Sequence, residues 1–148
     1  MISVSPDPID PGTLLAGFLQ GREDSGGVVN FTGLVRRDEG VEALELEAYP
    51  GFTEAAIAEI VEHARQRFSL DDALVAHRIG RIVPGEVVVF VATAARHRRG
   101  AFDAADFLMD YLKSRAPLWK RSHEADGAHW VEPTNRDHAD LSRWSRDP

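Results

Sequence analysis

A chain of 148 residues, 43% of them hydrophobic, can close one substantial core and is too short to expect two, so a single domain over residues 1–148 is predicted. The formal net charge of -7 sets the overall field against nucleic acid and anionic membrane surfaces, so neither is an expected partner, and any anionic ligand needs a local basic pocket. The absence of cysteine excludes a disulfide framework, a thiolate metal site and a cysteine nucleophile; sulfur, if handled here, must arrive on another molecule.

Residues 1–10 have no basic region followed by an apolar run, and no later apolar stretch is long enough to span a bilayer, so a cytoplasmic protein is expected. Asp10-Pro11 reads as an N-cap with proline at the first helical position, and Leu14, Leu15, Phe18 and Leu19 give a short amphipathic helix. Residues 26–35 are rich in β-branched and aromatic side chains. After the polar stretch 36–40, Leu44, Leu46 and Ala48 alternate with Glu45, Glu47 and Tyr49, which predicts a hairpin with one wet face. Gly26, Gly27 and Gly33 suit close strand packing. Ile57, Ile60, Val61, Ala64 and Phe68 mark a second helix beginning near Thr53.

A strand over residues 74–83 follows, joined through Pro84-Gly85, which fits the centre of a type II turn, to an apolar strand over 87–95 expected to be buried on both faces. Ala101, Ala105, Leu108 and Leu112 give a third helix, stopped near Ala116 by Pro117. A last strand around Trp130 and a polar tail over residues 133–148 complete the chain. The expected class is α+β, with mostly antiparallel strands and about three main helices.

Fifteen of the seventeen basic residues are arginine; the two lysines are Lys113 and Lys120. An ammonium can lose its proton when desolvated or crowded by cations and then act as nucleophile or base, which a guanidinium effectively cannot. Two positions that keep lysine in an arginine-rich chain are therefore candidates for amine chemistry, against the plainer assignment of a surface pair between Asp110 and Lys113. Pro117 can turn the chain so that Lys120 comes back towards the helix end bearing Lys113. Arg96-His97-Arg98-Arg99 precedes a helix N-terminus, whose free N–H groups and positive potential suit a phosphate. Arg36-Arg37 is a further basic pair. His123, His129 and His138 lack zinc-motif spacing, so neither a metal nor another cofactor is expected; His63 is expected at the surface and His77 in a structural role.

Phe31-Thr32-Gly33 with Val35-Arg36, Leu46-Glu47-Ala48-Tyr49-Pro50, His77-Arg78-Ile79-Gly80, Pro84-Gly85-Glu86, His97-Arg98, Ala101-Phe102, Met109-Asp110-Tyr111-Leu112-Lys113, Ala116-Pro117, Trp119-Lys120-Arg121 and Gly127 with Trp130-Val131-Glu132 together resemble the large, catalytic subunit family of molybdopterin synthases. Their order and spacing, over about residues 26 to 132, carry the resemblance. It implies an α/β hammerhead-type fold and a homodimer, extended to a heterotetramer by two small ubiquitin-like sulfur carriers. Each carrier inserts a C-terminal Gly-Gly thiocarboxylate, and cyclic pyranopterin monophosphate is converted to molybdopterin, a dithiolene, in molybdenum cofactor biosynthesis.

By the same resemblance Lys113 and Lys120 are the catalytic lysines, while Arg36, His97 and Arg98 hold the anionic pterin, the last two across the dimer interface. Lys113 would work on the thiocarboxylate or the attacked carbon by proton transfer or a transient adduct. Lys120 would stabilise developing negative charge and depress its neighbour's pKa. Two departures from the family pattern stand out: Leu34, where a polar residue is common, and Ser122, which removes an acidic partner for Lys120 or Arg121. Trp144 is expected near the pocket or an interface. The alternative function is a non-catalytic module that binds a phosphorylated ligand or a ubiquitin-like tail; it has the same basic pocket but no need for an amine.

Overall fold

The computed structural model describes residues 1–38 and 40–146. Two four-stranded sheets and four α-helices make it up, confirming the α+β class and raising the helix count from three to four.

The first sheet contains β1 (Ile2–Ser5), β4 (Leu70–Arg78), β6 (Val87–Ala95) and β2 (Gly27–Leu34), in that order. β1 runs parallel to β4, and the other pairs are antiparallel. Apart from Thr93, β6 is apolar along its length because both of its faces are covered. On one side Val89, Val91 and Ala95 meet Ile57 and Val61 of α2 (Phe52–Phe68) and Ala104 and Leu108 of α3 (Arg98–Ser114). On the other, Phe90, Ala92 and Ala94 meet Phe18 of α1 (Pro11–Leu19). α1 starts as expected: Asp10 Oδ1 accepts from the backbone N–H groups of Gly12 and Thr13, and Pro11 occupies the first turn.

The second sheet is antiparallel, in the order β5 (Gly80–Ile82), β3 (Val41–Ala48), β7 (Leu118–Glu124) and β8 (Gly127–Trp130). The hairpin expected between residues 26–35 and 44–48 does not form. β2 pairs with β6, and β3 lies in the other sheet. Val35 accounts for the divergence: its N–H donates to the Glu86 carbonyl at 2.9 Å and its carbonyl accepts from Gly85 N–H at 2.8 Å. These bonds tie the end of β2 to the β5–β6 turn rather than to β3. The strand expected over 74–83 is likewise two strands. It begins at Leu70 and breaks where Gly80, at φ +82°, diverts the chain into the second sheet. The Pro84-Gly85 turn forms as expected, with Glu86 N–H donating to the Val83 carbonyl at 3.1 Å and Gly85 at φ +91°.

The stretch 133–148 is not merely a polar tail. Asn135–Ser142 forms α4, followed by a 3₁₀ turn over Arg143–Arg146. Only Leu141 of α4 is buried, so no apolar stripe announces the helix. Its local stabilisation comes from a capping box in which Thr134 Oγ1 accepts from Asp137 N–H while Asp137 Oδ2 accepts from Thr134 N–H.

Candidate functional site

The reversal after α3 is built around Pro117. The carbonyl of Tyr111 accepts from the N–H groups of both Arg115 and Ala116, ending the helix. The fully buried hydroxyl of Thr53 donates to the Pro117 carbonyl at 2.9 Å and accepts from Tyr49 N–H at 2.9 Å. One side chain at the start of α2 thus fixes both the end of β3 and the turn into β7. The turn leaves Lys113 exposed in the last turn of α3 and places Lys120 in the middle of β7, opposite Leu46.

Residues opposite one another in a ladder share a face, so Lys120 lies on the side of buried Leu46 and Ser122, while Trp119 and Arg121 lie on the other. The consequence is electrostatic. Burial pushes the Lys120 ammonium below its ordinary pKa, and Lys113 and Arg36 push the same way, against the opposing carboxylates of Asp137 and Asp38. Lys113, Lys120 and Arg36 therefore occupy one electrostatic neighbourhood, drawn from α3, β7 and the β2–β3 loop. Arg36 is exposed and holds Asp38 through Nε at 2.7 Å and Nη2 at 3.3 Å.

The plain surface pair between Asp110 and Lys113 does not form. Asp110 Oδ2 accepts from Arg143 Nη2 at 2.6 Å and from Trp144 Nε1 at 2.7 Å. Nor does Ser122 leave Arg121 without a partner: its guanidinium reaches Glu45 and Glu47 across the ladder, and Ser122 itself is buried, with Oγ donating to Glu124 at 3.3 Å. Leu34 is exposed at the end of β2. Trp144 packs edge-on against Phe68 and Phe107, with its Nε1 on Asp110, one helical turn before Lys113.

His97 and Arg98 lie at the opposite end of α3. His97 is the N-cap, without a side-chain cap bond, and the helix carries no acid in its first turn. With Gly26, Arg96 and Arg99 they line a shallow depression. A Cβ at Gly26 would run into the Arg96 carbonyl oxygen, so glycine is required for this loop to lie against the start of β2. Lys113 is fifteen residues further along the helix than Arg98, about 22 Å at 1.5 Å per residue. One copy of the chain therefore brings Lys113, Lys120 and Arg36 together and holds His97 and Arg98 apart from them.

Three residues of the lysine neighbourhood were not singled out from the sequence for this role: Asp38, held by Arg36, together with Asp137 and His77. Asp137 lies in the first turn of α4, and the legible sign was the Thr134-x-x-Asp137 capping pattern. His77, buried in β4, has its Nδ1 2.9 Å from the Arg78 carbonyl. Burial lowers its pKa; the bond to that carbonyl opposes the shift, and Lys120 adds to it. Elsewhere, exposed His129 stands 3.0 Å from Asp126 at the β7–β8 turn, with Glu124 beside them. Among the described residues no helix is long and apolar enough to cross a membrane.

The family model described as "MoaE protein" matches residues 4–115. A Caulobacter vibrioides protein named molybdopterin synthase catalytic subunit is 54% identical over 148 residues, covering 99% of each chain. It therefore extends the likeness through β7 and α4. A solved structure of a molybdopterin biosynthesis MoaE protein from Burkholderia ambifaria superimposes with a TM-score of 0.85 at 39% identity, covering 99% of each chain. One of molybdopterin synthase from Staphylococcus aureus does so with a TM-score of 0.79 at 30% identity, covering 87% of this chain and 95% of that one. Sequence and fold agree over almost the whole length, and the chain belongs to the MoaE protein family.

Proposed function

We propose that this chain is the catalytic subunit of a molybdopterin synthase: a cytoplasmic sulfurtransferase that converts cyclic pyranopterin monophosphate to molybdopterin with sulfur from the C-terminal thiocarboxylate of a small ubiquitin-like subunit. The observation that carries the proposal is the meeting of Lys113 and Lys120. The chain has no other lysine, and these two come from different elements into one neighbourhood, where burial and like charge hold one amine below its ordinary range. Such an amine can exchange a proton nearer neutral pH than a solvated lysine, or attack a carbonyl carbon.

In this scheme Lys113, the more exposed amine, meets the incoming thiocarboxylate or the attacked carbon. Lys120 faces the charge that develops as sulfur replaces oxygen on the substrate. Arg36 supplies a fixed cation at the rim. His97, Arg98 and the N-terminus of α3 hold the substrate's phosphate, where unpaired N–H groups and positive potential favour an anion. The length of α3 supports a symmetric homodimer in which one protomer's lysines work with its partner's phosphate site, with two small subunits completing a heterotetramer. Anchoring the phosphate away from the reacting carbons suits a two-step reaction. The half-sulfurated intermediate stays bound while a spent carrier leaves and a charged one takes its place.

The test is reconstitution with thiocarboxylated small subunit and cyclic precursor, following dithiolene formation for the unmodified chain and for Lys113→Arg. Loss of product with retained binding of the small subunit supports amine chemistry. Undiminished product from Lys113→Arg would overturn it.

A further inference from the structure

We propose that Asp137 is a positioning residue for the lysine pair, set within electrostatic reach of Lys113 and Lys120 by its capping box with Thr134 and by the docking of α4 on α3. The proposal rests on the sulfur-transfer role given to the two amines, and it makes the C-terminal helix part of the site.

Three sets of contacts fix Asp137. Its Oδ2 accepts from Thr134 N–H at 2.8 Å and from Thr134 Oγ1 at 2.9 Å, so the carboxylate has little freedom to swing into solvent. The segment leading into α4 is tied to the site strand, because Val131 N–H donates to the backbone carbonyl of Lys120 at 2.8 Å. At the far end, Arg143 and Trp144 clamp α4 to α3 through Asp110. A capping-box acid with only a local role has no reason to lie within electrostatic reach of two ammoniums from other elements. Here Asp137 is half-buried, and partial burial alone would raise its pKa. The two Thr134 bonds, reinforced by Lys113 and Lys120, outweigh burial and keep the carboxyl below its usual range.

Among the described residues, the charged and titratable groups around Lys120 are Lys113 on α3, Asp137 on α4, Arg36 and Asp38 on the β2–β3 loop, and His77 on β4. With His77 neutral, three cations face two carboxylates among these described residues. Asp137 is the carboxylate set on a helix and shared by both lysines, whereas Asp38 is engaged by Arg36. Its role is to keep two mutually repelling amines close while Lys120 retains its proton to a higher pH than burial and neighbouring cations would otherwise permit. Removing the charge should make Lys120 lose its proton at lower pH and shift the pH dependence of transfer in the same direction.

Because the chain has two lysines and no more, lysine labelled with ¹³C at Cε gives two side-chain resonances, assigned by Lys113→Arg, whose titration needs no activity assay. Asp137→Asn should move the Lys120 resonance to a lower titration midpoint. It should move the pH profile of single-turnover sulfur transfer, measured in the reconstituted assembly, the same way, and Asp137→Glu should restore both in part. Thr134→Val, which keeps the carboxylate but frees it, should produce a smaller shift of the same sign. This variant remains informative should Asp137→Asn fail to fold. A Lys120 resonance that titrates alike in the unmodified and variant proteins overturns the proposal, as does a resonance that moves while the rate profile stays fixed. An unmodified assembly that transfers no sulfur would instead count against the assigned function, with the resonance titration still deciding whether Asp137 sets the lysine charge.

Discussion

The indole Nε1 of Trp144 donates to Asp110 Oδ2 at 2.7 Å and so fastens the segment after α4 to the C-terminal half of α3. The ring of Trp144 sits edge-on to Phe107 at 5.4 Å and to Phe68 at 5.7 Å, with the Arg67 guanidinium 5.5 Å from its centroid. α4 is otherwise polar, so these contacts and buried Leu141 hold it in place. Trp144→Ala should cost about 2 kcal/mol, less than the loss of a fully buried aromatic. Urea denaturation would show a lower midpoint with an unchanged slope. If Asp137 positions the lysines, the same variant should also slow sulfur transfer.

Thr53 joins three chain segments through one hydroxyl. Thr53→Val keeps the shape while leaving the Pro117 carbonyl and the Tyr49 N–H without their partner in a buried place. A cost of about 2 kcal/mol is expected, because each abandoned buried group carries its own desolvation penalty. Thr53→Ser should recover most of it. Comparing the two denaturation midpoints separates the hydrogen bonds from the packing.

The separation of Lys120 from Arg98 allows a complementation test. Co-expressed Lys120→Ala and Arg98→Ala chains should each be inactive alone. Together they should regain about a quarter of the unmodified activity, because random pairing makes half of the dimers mixed and each mixed dimer holds one intact shared site. No recovery in purified mixed dimers would place both residues in the same protomer's site.

His77 gives a stability signature in mild acid. Burial depresses its folded-state pKa, so between the ordinary histidine value and that lower value the unfolded chain binds the extra proton. Stability therefore falls as the pH drops through this window, by no more than about 1.4 kcal/mol per pH unit for one group. His129, raised in the folded state by Asp126, has the opposite sign: its contribution is present in acid and disappears as the pH rises. Chemical denaturation from pH 7.5 down to 5.5 should thus be flatter for His77→Gln than for the unmodified protein, with His129 cancelling in the difference. Equal slopes would show that His77 takes up its proton without cost in the folded state.

Features encoded by neighbouring residues were legible in the sequence: the Asp10-Pro11 helix start, the Pro84-Gly85 turn, the doubly covered strand β6 and the stop imposed by Pro117. The two-lysine asymmetry was legible too, because it is a property of composition. Short-range sterics, capping and hydrophobic period carry each of these signals. Which strand lies beside which was not legible. β2 and β3 each have the pattern of a half-covered strand, and the long-range pairing of β2 with β6 and of β3 with β7, with the Val35 bonds at the divergence, sends them to different sheets. α4 is not legible in the sequence because a helix held by one leucine, a cap and a following tryptophan has almost no apolar period to read. The electrostatics of Lys120 and its approach to Asp137, Asp38 and His77 belong to the tertiary structure alone. They depend on burial and on distances between residues far apart in the chain, and a charge responds to its surroundings in space, whatever its neighbours in sequence.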